Sequence, residues 1–472
     1  MRITTLPYGD VLEKFQPFAN DAVAALLDSA AASTFAHHNA DSDTRSRYSY
    51  IAVEPFAVIR SDDTGVSVDG IAEAGDPFSV LQRHLTGCHL AATNAPVPFI
   101  GGAVGYLAYE MGRHADRFPP LAKDPHAVPE MVVGLYDCVI AFDHAQHTCF
   151  LISTGLPEAE GSAREQRAKA RETHILKRLQ QAEPLPAIDW QPRSEWHAER
   201  PRAMVEQAIQ RVIDYIHAGD IFQANLTQRM TAERPTGLDD FMLYRRLRSI
   251  SPAPFAAFLR YGAEMSVISA SPERFLALDS TGHVETRPIK GTIRRDADPV
   301  RDAALAAELA GSTKDRAENL MIVDLMRNDL GRICEAGSVQ VPALMQVETF
   351  ASVHHLVSAI SGQLKPDCDV VDLLRACFPG GSITGAPKIR AMEIINELEQ
   401  RQRGVCFGSI VWLGADGAMD SSIAIRTLVR QHNTLIAEAG GGIVADSVPA
   451  LEYDEAQLKM RPLLRAVTGD AS

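Results

Sequence analysis

The stretch Thr286-Arg287-Pro288-Ile289-Lys290-Gly291-Thr292 ends a run of strand-forming residues and precedes a charged segment. Within it, Lys290 lies between a proline-stiffened strand end and a glycine. Burial and nearby cations lower the pKa of a lysine amine, and a neutral amine is a nucleophile at neutral pH. An isolated lysine is usually a surface residue. The motifs around this one make Lys290 a candidate catalytic residue.

The order of predicted strands and helices around this stretch indicates the fold class. Apolar residues recur every three or four positions over 204–216, with Gly219 as the predicted C-cap. Further predicted helices are 315–329 and 387–400, and predicted strands are 267–270, 283–289, 408–413, 422–429 and 434–439. Strands and helices do not alternate one to one. The pattern therefore favours an α+β fold, a layered sandwich of mainly antiparallel sheets with helices outside, over a doubly wound sheet.

One change in composition divides the chain. Residues 157–183 are polar and helix-forming, and Pro184 and Pro186 then open a segment that is typical of a linker. We therefore expect an N-terminal part, residues 1–190, and a C-terminal catalytic part, residues 191–472. Short apolar runs alternate with turn residues in the N-terminal part, which predicts a mainly antiparallel sheet there.

The chain of 472 residues is acidic, with a formal net charge of −14. Such a charge repels nucleic acid and anionic lipid, so neither is an expected partner. An anionic small molecule then needs a local cationic pocket, for which Lys290, Arg426 and Lys459 are candidates. The seven cysteines form no C-x-x-C pair, and no uninterrupted apolar run approaches the ~18 residues of a membrane span. We expect reduced thiols, no membrane partner and a cytoplasmic protein.

Two pairs of acidic residues have helical spacing. Asp315 and Glu318 lie three residues apart, as do Glu452 and Glu455, so each pair projects from one face of a helix. If the two faces meet, they form an oxygen-only site. Such a site suits Mg²⁺, which takes few carboxylates and completes its octahedron with water and substrate oxygens. The alternative is a solvated surface, the commoner position of acidic pairs.

Two glycine-rich segments offer backbone amides to an anion. In the block 378–388, glycines allow close approach and the hydroxyls of Ser382 and Thr384 are available. Pro387 fits the first position of a helix whose free N–H groups bind carboxylate or phosphate, although an ordinary capped helix start is the alternative. Strand-like sequence continues after Gly440-Gly441-Gly442, so a dinucleotide-binding turn is excluded there and contact with a ligand carboxylate is favoured.

Three single residues are further candidates. Arg426 lies in an apolar predicted strand, where a charge is costly unless it pairs with a group such as a substrate carboxylate. Glu273, after Ser271-Pro272, is a general acid or base candidate if it is partly buried. His355 is either a satisfied core histidine or an acid, base or orienting group.

Cys406 lies in Gly404-Val405-Cys406-Phe407-Gly408, which superficially resembles the nucleophile loop of a glutaminase. No helix is expected after it, and no His-x-Glu pair lies downstream to activate the thiol. We therefore interpret Cys406 as a small core residue.

Taken together, these motifs resemble the chorismate-utilising enzymes, a family that includes anthranilate synthase component I, aminodeoxychorismate synthase component I and the isochorismate and salicylate synthases. The resemblance implies the fold of anthranilate synthase component I. It runs almost continuously from about 195 to 465 and more weakly through the N-terminal part. Ordered blocks of sequence carry it: 271–275, 286–292, 315–329, 378–388, 424–427 and 442–447.

Two positions discriminate within this family. Lys290 falls where the aminodeoxychorismate-forming enzymes carry a nucleophilic lysine and the anthranilate enzymes an alanine. Gln223 falls where isochorismate- and salicylate-forming members carry a lysine that activates water. The resemblance thus implies transfer of an amino group from ammonia to chorismate, giving 4-amino-4-deoxychorismate for 4-aminobenzoate and folate biosynthesis. The alternatives are a pyruvate-releasing anthranilate synthase and a non-catalytic ligand sensor on the same scaffold.

The resemblance also implies roles for the candidate residues. The expected Mg²⁺ ligands, which hold the ion against the ring carboxylate, are Glu318, Glu452 and Glu455, with Asp315 nearby. The groups expected to bind the enolpyruvyl carboxylate are Arg426, Gly440, Gly441, Gly442, Lys459, Ser382 and Thr384. Lys290 attacks C2 as the C4 hydroxyl leaves, with Glu273 as the acid or base.

Partners and a regulatory ligand follow from the same resemblance. Because the sequence contains no glutaminase motif, ammonia is expected from solution or from a separate glutamine amidotransferase subunit. The segment Leu26-Leu27-Asp28-Ser29 resembles the tryptophan-binding segment of the family, so Ser29 is a candidate tryptophan contact. One departure is Cys406, which occupies the position of a tyrosine near the substrate in relatives.

Overall fold

Two large antiparallel sheets, stacked face to face with helices outside, make up the computed structural model of the chain. The structure describes residues 1–31, 44–91, 95–116, 124–191, 193–350 and 353–469. The α+β layered sandwich predicted from the sequence is confirmed.

The first sheet is built from both halves of the chain. It has 12 strands among the described residues. Gly385–Ala386 pairs with the strand Gln223–Glu233 beside the main path. The spatial order of the other strands is Arg2–Leu6, Thr148–Ser153, Cys138–Asp143, Tyr48–Val53, Val23–Asp28, Phe255–Tyr261, Met265–Ser271, Thr427–Gln431, Thr434–Ile443, Gln223–Glu233 and His197–Ala198.

The second sheet also has 12 strands within the described ranges. Gln340–Thr349 pairs with Val353–Gln363 beside the main path. The spatial order of the other strands is Ile289–Arg294, Val353–Gln363, His283–Thr286, Arg274–Leu278, Met419–Ile423, Ser409–Gly414, Gly102–Leu107, Met131–Tyr136, Ala57–Asp62, Gly65–Val68 and Ile71–Glu73.

Helices cover the sandwich, and several begin at a side-chain cap such as Asp239 or Asp369. Short 3-10 turns are Gln16–Phe18, Thr44–Ser46, Tyr109–His114 and Gly381–Ile383. The α-helices are Val11–Phe15, Pro77–Gly87, Ser162–Leu179, Arg202–Ala218, Asp240–Ile250, Pro299–Gly311, Thr313–Ile333, Val370–Cys377, Lys388–Glu399 and Pro449–Thr468. No helix of the described residues is long and apolar enough to cross a membrane.

Both sheets continue across the predicted boundary near residue 190. Val23–Asp28 pairs with Phe255–Tyr261 in the first sheet, and Gly102–Leu107 pairs with Ser409–Gly414 in the second. The two parts therefore share one sandwich. Their division at residues 190 and 191 stays a prediction.

The largest apolar core lies between the two sheets. Its fully buried side chains come from both of them and include Tyr106, Leu135, Leu259 and Val267. A second core lies between the outer face of the first sheet and its covering helices, with Phe142, Tyr244, Phe258 and Leu463 among its members. Burial of apolar area at ~25 cal/mol per Å² is the main contribution that holds such layers together.

Two predicted strands are each interrupted. The run 283–289 forms two strands on either side of Pro288, which has no N–H to donate to the ladder. The run 422–429 is interrupted at Arg426, whose φ of 50° lies in the left-handed region. The placement of Arg426 inside a strand is therefore wrong. Pro387 also precedes the helix as its N-cap residue, and the first helical position belongs to Lys388.

One buried ion pair joins a covering helix to the first sheet. Arg430 Nε donates to Asp240 Oδ2 at 2.7 Å, and each side chain is only 1% exposed. We expect Arg430→Met to lower the free energy of unfolding by about 2–3 kcal/mol, because it removes the one guanidinium that hydrogen-bonds to this buried carboxylate among the described residues and leaves Arg234 and Arg260 at 3.7 Å. Urea unfolding measures the change.

The matched control is Arg60→Met, which breaks the exposed Arg60–Asp62 pair at 3.3 Å. Exposed pairs contribute about 1 kcal/mol or less, so this variant should unfold close to the wild type. Equal losses of unfolding free energy in the two variants would contradict a larger contribution from the buried pair.

Candidate active site

Lys290 is positioned by an irregular strand at the edge of the second sheet. The register between Ile289–Arg294 and Val353–Gln363 shifts by a bulge beside Lys290. Gly291 has a φ of 81°, and a Cβ built on it would lie 2.9 Å from Cγ of Asp315. Glycine is therefore required at this position by both the backbone conformation and the space available.

The Lys290 amine lies among carboxylates and points at the loop Gly381–Ile383. Its Nζ donates to the carbonyl oxygen of Ser382 at 3.1 Å. Burial lowers the pKa of Lys290 below its usual range, although the negative charges of Glu318 and Glu273 oppose that change. A larger share of this amine is neutral near neutral pH than of a solvent-exposed lysine.

Glu273 lies beside Lys290 and is 5% exposed. Burial raises the pKa of Glu273, while hydrogen bonds from the Ser382 side chain and the Ile289 backbone, and the charge of Lys290, lower it. The net direction is upward. Glu273 therefore keeps its proton to a higher pH than a solvent-exposed glutamate and can act as a general acid.

His355 lies on the strand that pairs with the Lys290 strand. Its Nδ1 is 2.8 Å from Oγ1 of Thr292, and its ring stands edge to face with Phe350. Burial and the neighbouring charge of Arg426 lower the pKa of His355 to about 3. The imidazole is therefore neutral at neutral pH, and its geometry suits an orienting role better than that of a base.

The predicted acidic residues approach one another from two helices. Glu318 and Asp315 project from Thr313–Ile333, and Glu452 and Glu455 from Pro449–Thr468. Burial raises the pKa of Glu318, and the negative charges of Asp315 and Glu452 add to this against the opposing effect of Lys290 and Lys314. The Lys314 amine of the first helix donates to Glu452 Oε1 of the second at 3.2 Å, so the two helices present these side chains to a common region.

Gly441 forms the floor between two of these carboxylates. A Cβ built at Gly441 would lie 3.3 Å from Oε2 of Glu452 and 3.9 Å from Oε1 of Glu455. Within the described residues, however, no three histidine, cysteine or acidic side chains are close enough to hold a metal ion as they stand. The donor set consists of carboxylate oxygens, which is the chemistry that Mg²⁺ requires.

Two lysines occupy hydrogen-bonding positions on these carboxylates. Lys314 Nζ lies 3.2 Å from Oε1 of Glu452, and Lys459 Nζ lies 2.7 Å from Oε1 of Glu455. Burial alone would raise the pKa of Glu455, but the charges of Lys459, Lys314 and Lys290 together outweigh it and the net shift is downward. The two ammonium groups balance negative charge in this region.

Arg426 is a partly buried cation near His355. Burial lowers the pKa of Arg426, but a guanidinium stays charged in proteins. Among the residues that the structure describes, no carboxylate lies within ion-pair distance of Arg426. Such a cation is suited to bind a carboxylate from a ligand.

The glycine segment presents an open strand edge near Lys459. Gly440–Gly442 lies inside the strand Thr434–Ile443, whose pairing with Thr427–Gln431 ends at Ala437. The Gly440 carbonyl accepts from Lys459 Nζ at 3.0 Å. In a strand, the N–H and C=O groups of one residue point in the same direction, so the Gly440 N–H also faces this open edge.

The two hydroxyls of the 378–388 block have different partners. The Ser382 side chain hydrogen-bonds to Glu273. The Thr384 hydroxyl donates to the backbone carbonyls of Gly380 and Gly381 at 3.1 and 3.3 Å. Thr384 thus stabilises the loop, while Ser382 faces the acid and the amine.

Cys406 and Ser29 lie outside the Lys290 site. The Cys406 thiol is buried, its pKa is raised by burial, and its Sγ is 3.7 Å from the Thr427 carbonyl, which fits a core residue. Ser29 lines a cavity of about 460 Å³ between the sheets, with Tyr50, Pro254 and Trp412 among the other lining residues. Tryptophan binding there stays a prediction.

Sequence reasoning did not identify Lys314 and Ser447 as site residues. Lys314 stands four positions before Glu318, so the two share a helix face, and this spacing was an available signal. The Ser447 hydroxyl donates to Oε1 of Glu452 at 2.7 Å. Ser447 lies before the helix that begins at Pro449, so helical periodicity does not link it to Glu452.

The chain is similar to known enzymes over nearly its whole length. An aminodeoxychorismate synthase component 1 from Klebsiella aerogenes is 42% identical over 458 residues, which cover 95% of this chain and 95% of that protein. An anthranilate synthase component 1 from Streptomyces coelicolor is 40% identical over 435 residues, covering 89% and 81%.

A solved structure and a family profile agree with these relatives. The crystal structure of anthranilate synthase component I from Streptococcus pneumoniae has a TM-score of 0.80 and 32% identity, covering 91% of this chain and 95% of that one. The profile described as chorismate binding enzyme matches residues 34–465. The chain therefore belongs to the chorismate-binding enzyme family.

Proposed function

We propose that this chain aminates chorismate to 4-amino-4-deoxychorismate, using Lys290 as a covalent nucleophile. The observation that carries the proposal is the Lys290 amine, which is desolvated, has a lowered pKa and lies between Glu273 and Glu318. Relatives named aminodeoxychorismate synthase component 1 at 42–44% identity support it. Such a reaction belongs to the supply of 4-aminobenzoate for folate.

Chorismate carries two carboxylates, and the site has cationic and backbone donors for both. No carboxylate of the described residues lies within ion-pair distance of the half-buried Arg426, so it is the strongest candidate for the enolpyruvyl carboxylate. The open edge at Gly440 offers a further N–H donor, and Lys459, which donates to the Gly440 carbonyl, adds positive charge. Binding would offset the cost of a buried, unpaired guanidinium.

The covalent step uses Lys290 and Glu273 together. The neutral amine forms a bond to C2, the ring double bonds shift, and the C4–O bond breaks. Glu273 donates its proton to the departing hydroxyl, which leaves as water. Pyruvate is not released, because no bond of the enolpyruvyl ether is broken.

Ammonia then completes the exchange. Its nitrogen bonds to C4, the double bonds shift back, and the bond between C2 and the Lys290 nitrogen breaks. The electron pair returns to Lys290, and the excess proton on the new C4 amine returns to the Glu273 carboxylate. Both side chains end in the protonation states in which they began.

We further propose that Glu318, Glu452 and Glu455 hold Mg²⁺ when substrate binds, with Asp315 close by. Bound Mg²⁺ would neutralise the ring carboxylate of chorismate and polarise it. Before metal enters, Lys314 and Lys459 supply positive charge to the same carboxylates. Gly441, with no side chain, leaves the space between Glu452 and Glu455 open.

The ammonia is proposed to come from a separate glutamine amidotransferase. The relatives are named component 1, which implies a second component for those proteins. Cys406, the residue in the glutaminase-like loop, is buried and its thiol pKa is raised, so it does not suit a nucleophile. Free ammonia at high concentration should replace the partner.

The alternative function is that of anthranilate synthase, a lyase that releases pyruvate. It is favoured by the relative from Streptomyces coelicolor at 40% identity. Lys290 distinguishes the two reactions, since direct amination of C2 followed by elimination needs no lysine nucleophile at that carbon.

Replacement of Lys290 tests the chemistry directly. With chorismate, ammonium and Mg²⁺, we expect the wild type to form 4-amino-4-deoxychorismate without pyruvate, as read by product mass and lactate dehydrogenase. Lys290→Ala should lower kcat by on the order of 10³-fold, because removing a nucleophile leaves only binding and electrostatic catalysis. The exposed Lys177→Ala is the control. Pyruvate release by the wild type would establish the lyase instead.

The ionisation of Lys290 gives a separate prediction. A lowered pKa means that its amine becomes neutral, and therefore reactive, at a lower pH than an exposed amine such as Lys177. Competitive acetylation with trace acetic anhydride between pH 6 and 10, read by peptide mass spectrometry, should show the Lys290 labelling curve shifted to lower pH. Coincident curves for the two lysines would refute the lowered pKa.

Metal dependence tests the carboxylate cluster. We expect chelation to abolish amination and Glu452→Gln to raise the Mg²⁺ concentration for half-maximal activity by on the order of tenfold or more, since a ligand charge is lost. Asp454→Asn is the matched control on the same helix, because Asp454 pairs with Arg202 on the surface. Unchanged activity in the absence of divalent ions would rule out the metal role.

A further inference from the structure

Arg403 is a buried side chain that contacts the loop Gly381–Ile383. Its side chain is 1% exposed. Nε and Nη2 donate to the two carboxylate oxygens of Glu399 at 2.9 and 2.7 Å. Nη1 donates to the Ile383 carbonyl at 3.0 Å, and Nη2 also donates to the Asn225 carbonyl at 2.6 Å. One guanidinium therefore joins the loop to the neighbouring strand.

The orientation of this guanidinium is fixed by several contacts. Its Cζ lies 4.5 Å from the ring centre of Tyr109 and 5.0 Å from that of Phe407. The Arg403 backbone N–H donates to Glu110 Oε1 at 2.7 Å. Burial opposes the ionisation of Glu399, but the charge of Arg403, with that of a second arginine, outweighs it and lowers the pKa of Glu399 to about 2. The pair is therefore charged at neutral pH, and the arginine is held at both ends.

The loop that Arg403 contacts is the one that meets both groups of the proposed chemistry. Lys290 Nζ donates to the Ser382 carbonyl at 3.1 Å, and the Ser382 side chain hydrogen-bonds to Glu273. The carbonyls of Ser382 and Ile383 belong to consecutive peptide planes that share the Cα of Ile383. Holding the second plane limits the rotation of the first, and so limits the direction of the Ser382 carbonyl.

We propose that Arg403 is a positioning residue, which fixes the Ser382 carbonyl and hydroxyl against Lys290 and Glu273. It acts through the loop, since its own side-chain bonds end at Glu399 and at backbone carbonyls. Its effect on rate rests on the proposed amination, whereas its effect on the loop does not. A planar fork can bind a carboxylate along one edge and carbonyls with its remaining N–H groups.

Hydrogen–deuterium exchange of the free enzyme tests the effect on the loop. Arg403→Lys keeps a positive charge beside Glu399, but one ammonium cannot reproduce the fork. The amides of Ile383 and Thr384 donate to carbonyls at the start of the loop, so their exchange measures its opening. We expect exchange in this peptide to be about tenfold faster or more in the variant, because the loop loses a charge-assisted bond. Exchange at the wild-type rate would overturn the proposal.

Arg401 provides a matched control two residues away. Its side chain is 5% exposed, and its partners are Glu438, Glu199 and Thr227, none of which belongs to the loop. Arg401→Lys alters the same buried group of charges without changing their sum. It should leave exchange of the loop unchanged. Equal acceleration in the two variants would show a general loosening of this region and would contradict a specific role for Arg403.

Steady-state kinetics test whether the position of the loop matters for the reaction. We expect Arg403→Lys to lower kcat by on the order of tenfold or more, because small displacements of reacting groups slow the chemical step. The KM for chorismate should stay within about twofold of the wild type, since the proposed carboxylate-binding groups are untouched. Arg401→Lys should keep both values. A higher KM at unchanged kcat would assign Arg403 to substrate binding and refute the positioning role.

Tyr109 gives a second test that leaves both arginines in place. Its hydroxyl has no hydrogen-bond partner within the described residues, so Tyr109→Phe should exchange like the wild type. Tyr109→Leu removes the ring that lies against Arg403 and should accelerate exchange of the same loop peptide, by less than Arg403→Lys does. Identical exchange in Tyr109→Leu and Tyr109→Phe would contradict the fixed orientation on which the inference depends.

Exchange and turnover together separate this inference from the proposed function. If the loop exchanges faster in Arg403→Lys but the wild type forms no aminated product, the proposed function fails and the positioning of Ser382 stands. If the wild type forms the product but neither exchange nor kcat responds to Arg403→Lys, the proposed function stands and the positioning role is wrong.

Discussion

The close contact between Gly291 and Asp315 is the constraint on which the site depends. It lets the first turn of the helix Thr313–Ile333 lie directly against the bulged strand Ile289–Arg294, with no side chain between them. Lys290 precedes Gly291 on the strand, and Glu318 follows Asp315 on the helix. The contact between Gly291 and Asp315 therefore sets the separation of Lys290 from Glu318. A side chain at position 291 would separate the amine from the carboxylates and would also strain a backbone at φ of 81°.

Around that contact, charge is balanced between lysines and carboxylates. Each of the three lysines of the site lies close to at least one carboxylate. The lysines are Lys290, Lys314 and Lys459, and the carboxylates are those of Glu273, Glu318, Glu452 and Glu455. Removing charges from water is costly, and the cost is tolerated only where opposite charges and hydrogen bonds replace the solvent. The arrangement has an excess of negative charge, which a divalent cation would neutralise. Arg426 stands apart from it, so the proposed function has one region for a carboxylate that Mg²⁺ would bind and another for a carboxylate that arginine would bind.

The sequence predicted those parts of the site that depend on local spacing. The acidic pairs at 315, 318, 452 and 455 follow from helical periodicity, and the helices that carry them are confirmed. The conformation of Arg426 was not predictable, because its apolar neighbours are typical of a strand and only tertiary contacts select φ of 50° there. Both sheets contain strands from both parts of the chain. They do so through pairings between distant segments, such as Val23–Asp28 with Phe255–Tyr261. No local sequence pattern predicts such pairings. The bond from Lys314 to Glu452 joins residues 138 positions apart and was hidden for the same reason.

One physical cause, removal from water, prepares both reacting groups for the proposed chemistry. Burial disfavours charge of either sign, so it shifts the amine of Lys290 toward its neutral form and the carboxyl of Glu273 toward its protonated form. In water the opposite pair, ammonium and carboxylate, would dominate at neutral pH. A nucleophile must be neutral and a general acid must be protonated, so the same desolvation favours both required states. The attraction between the charged forms of Lys290 and Glu273 opposes this effect of burial. The Ser382 side chain, which hydrogen-bonds to Glu273, also favours the charged carboxylate. The balance between burial and these contacts therefore determines the fraction of enzyme that is ready to react.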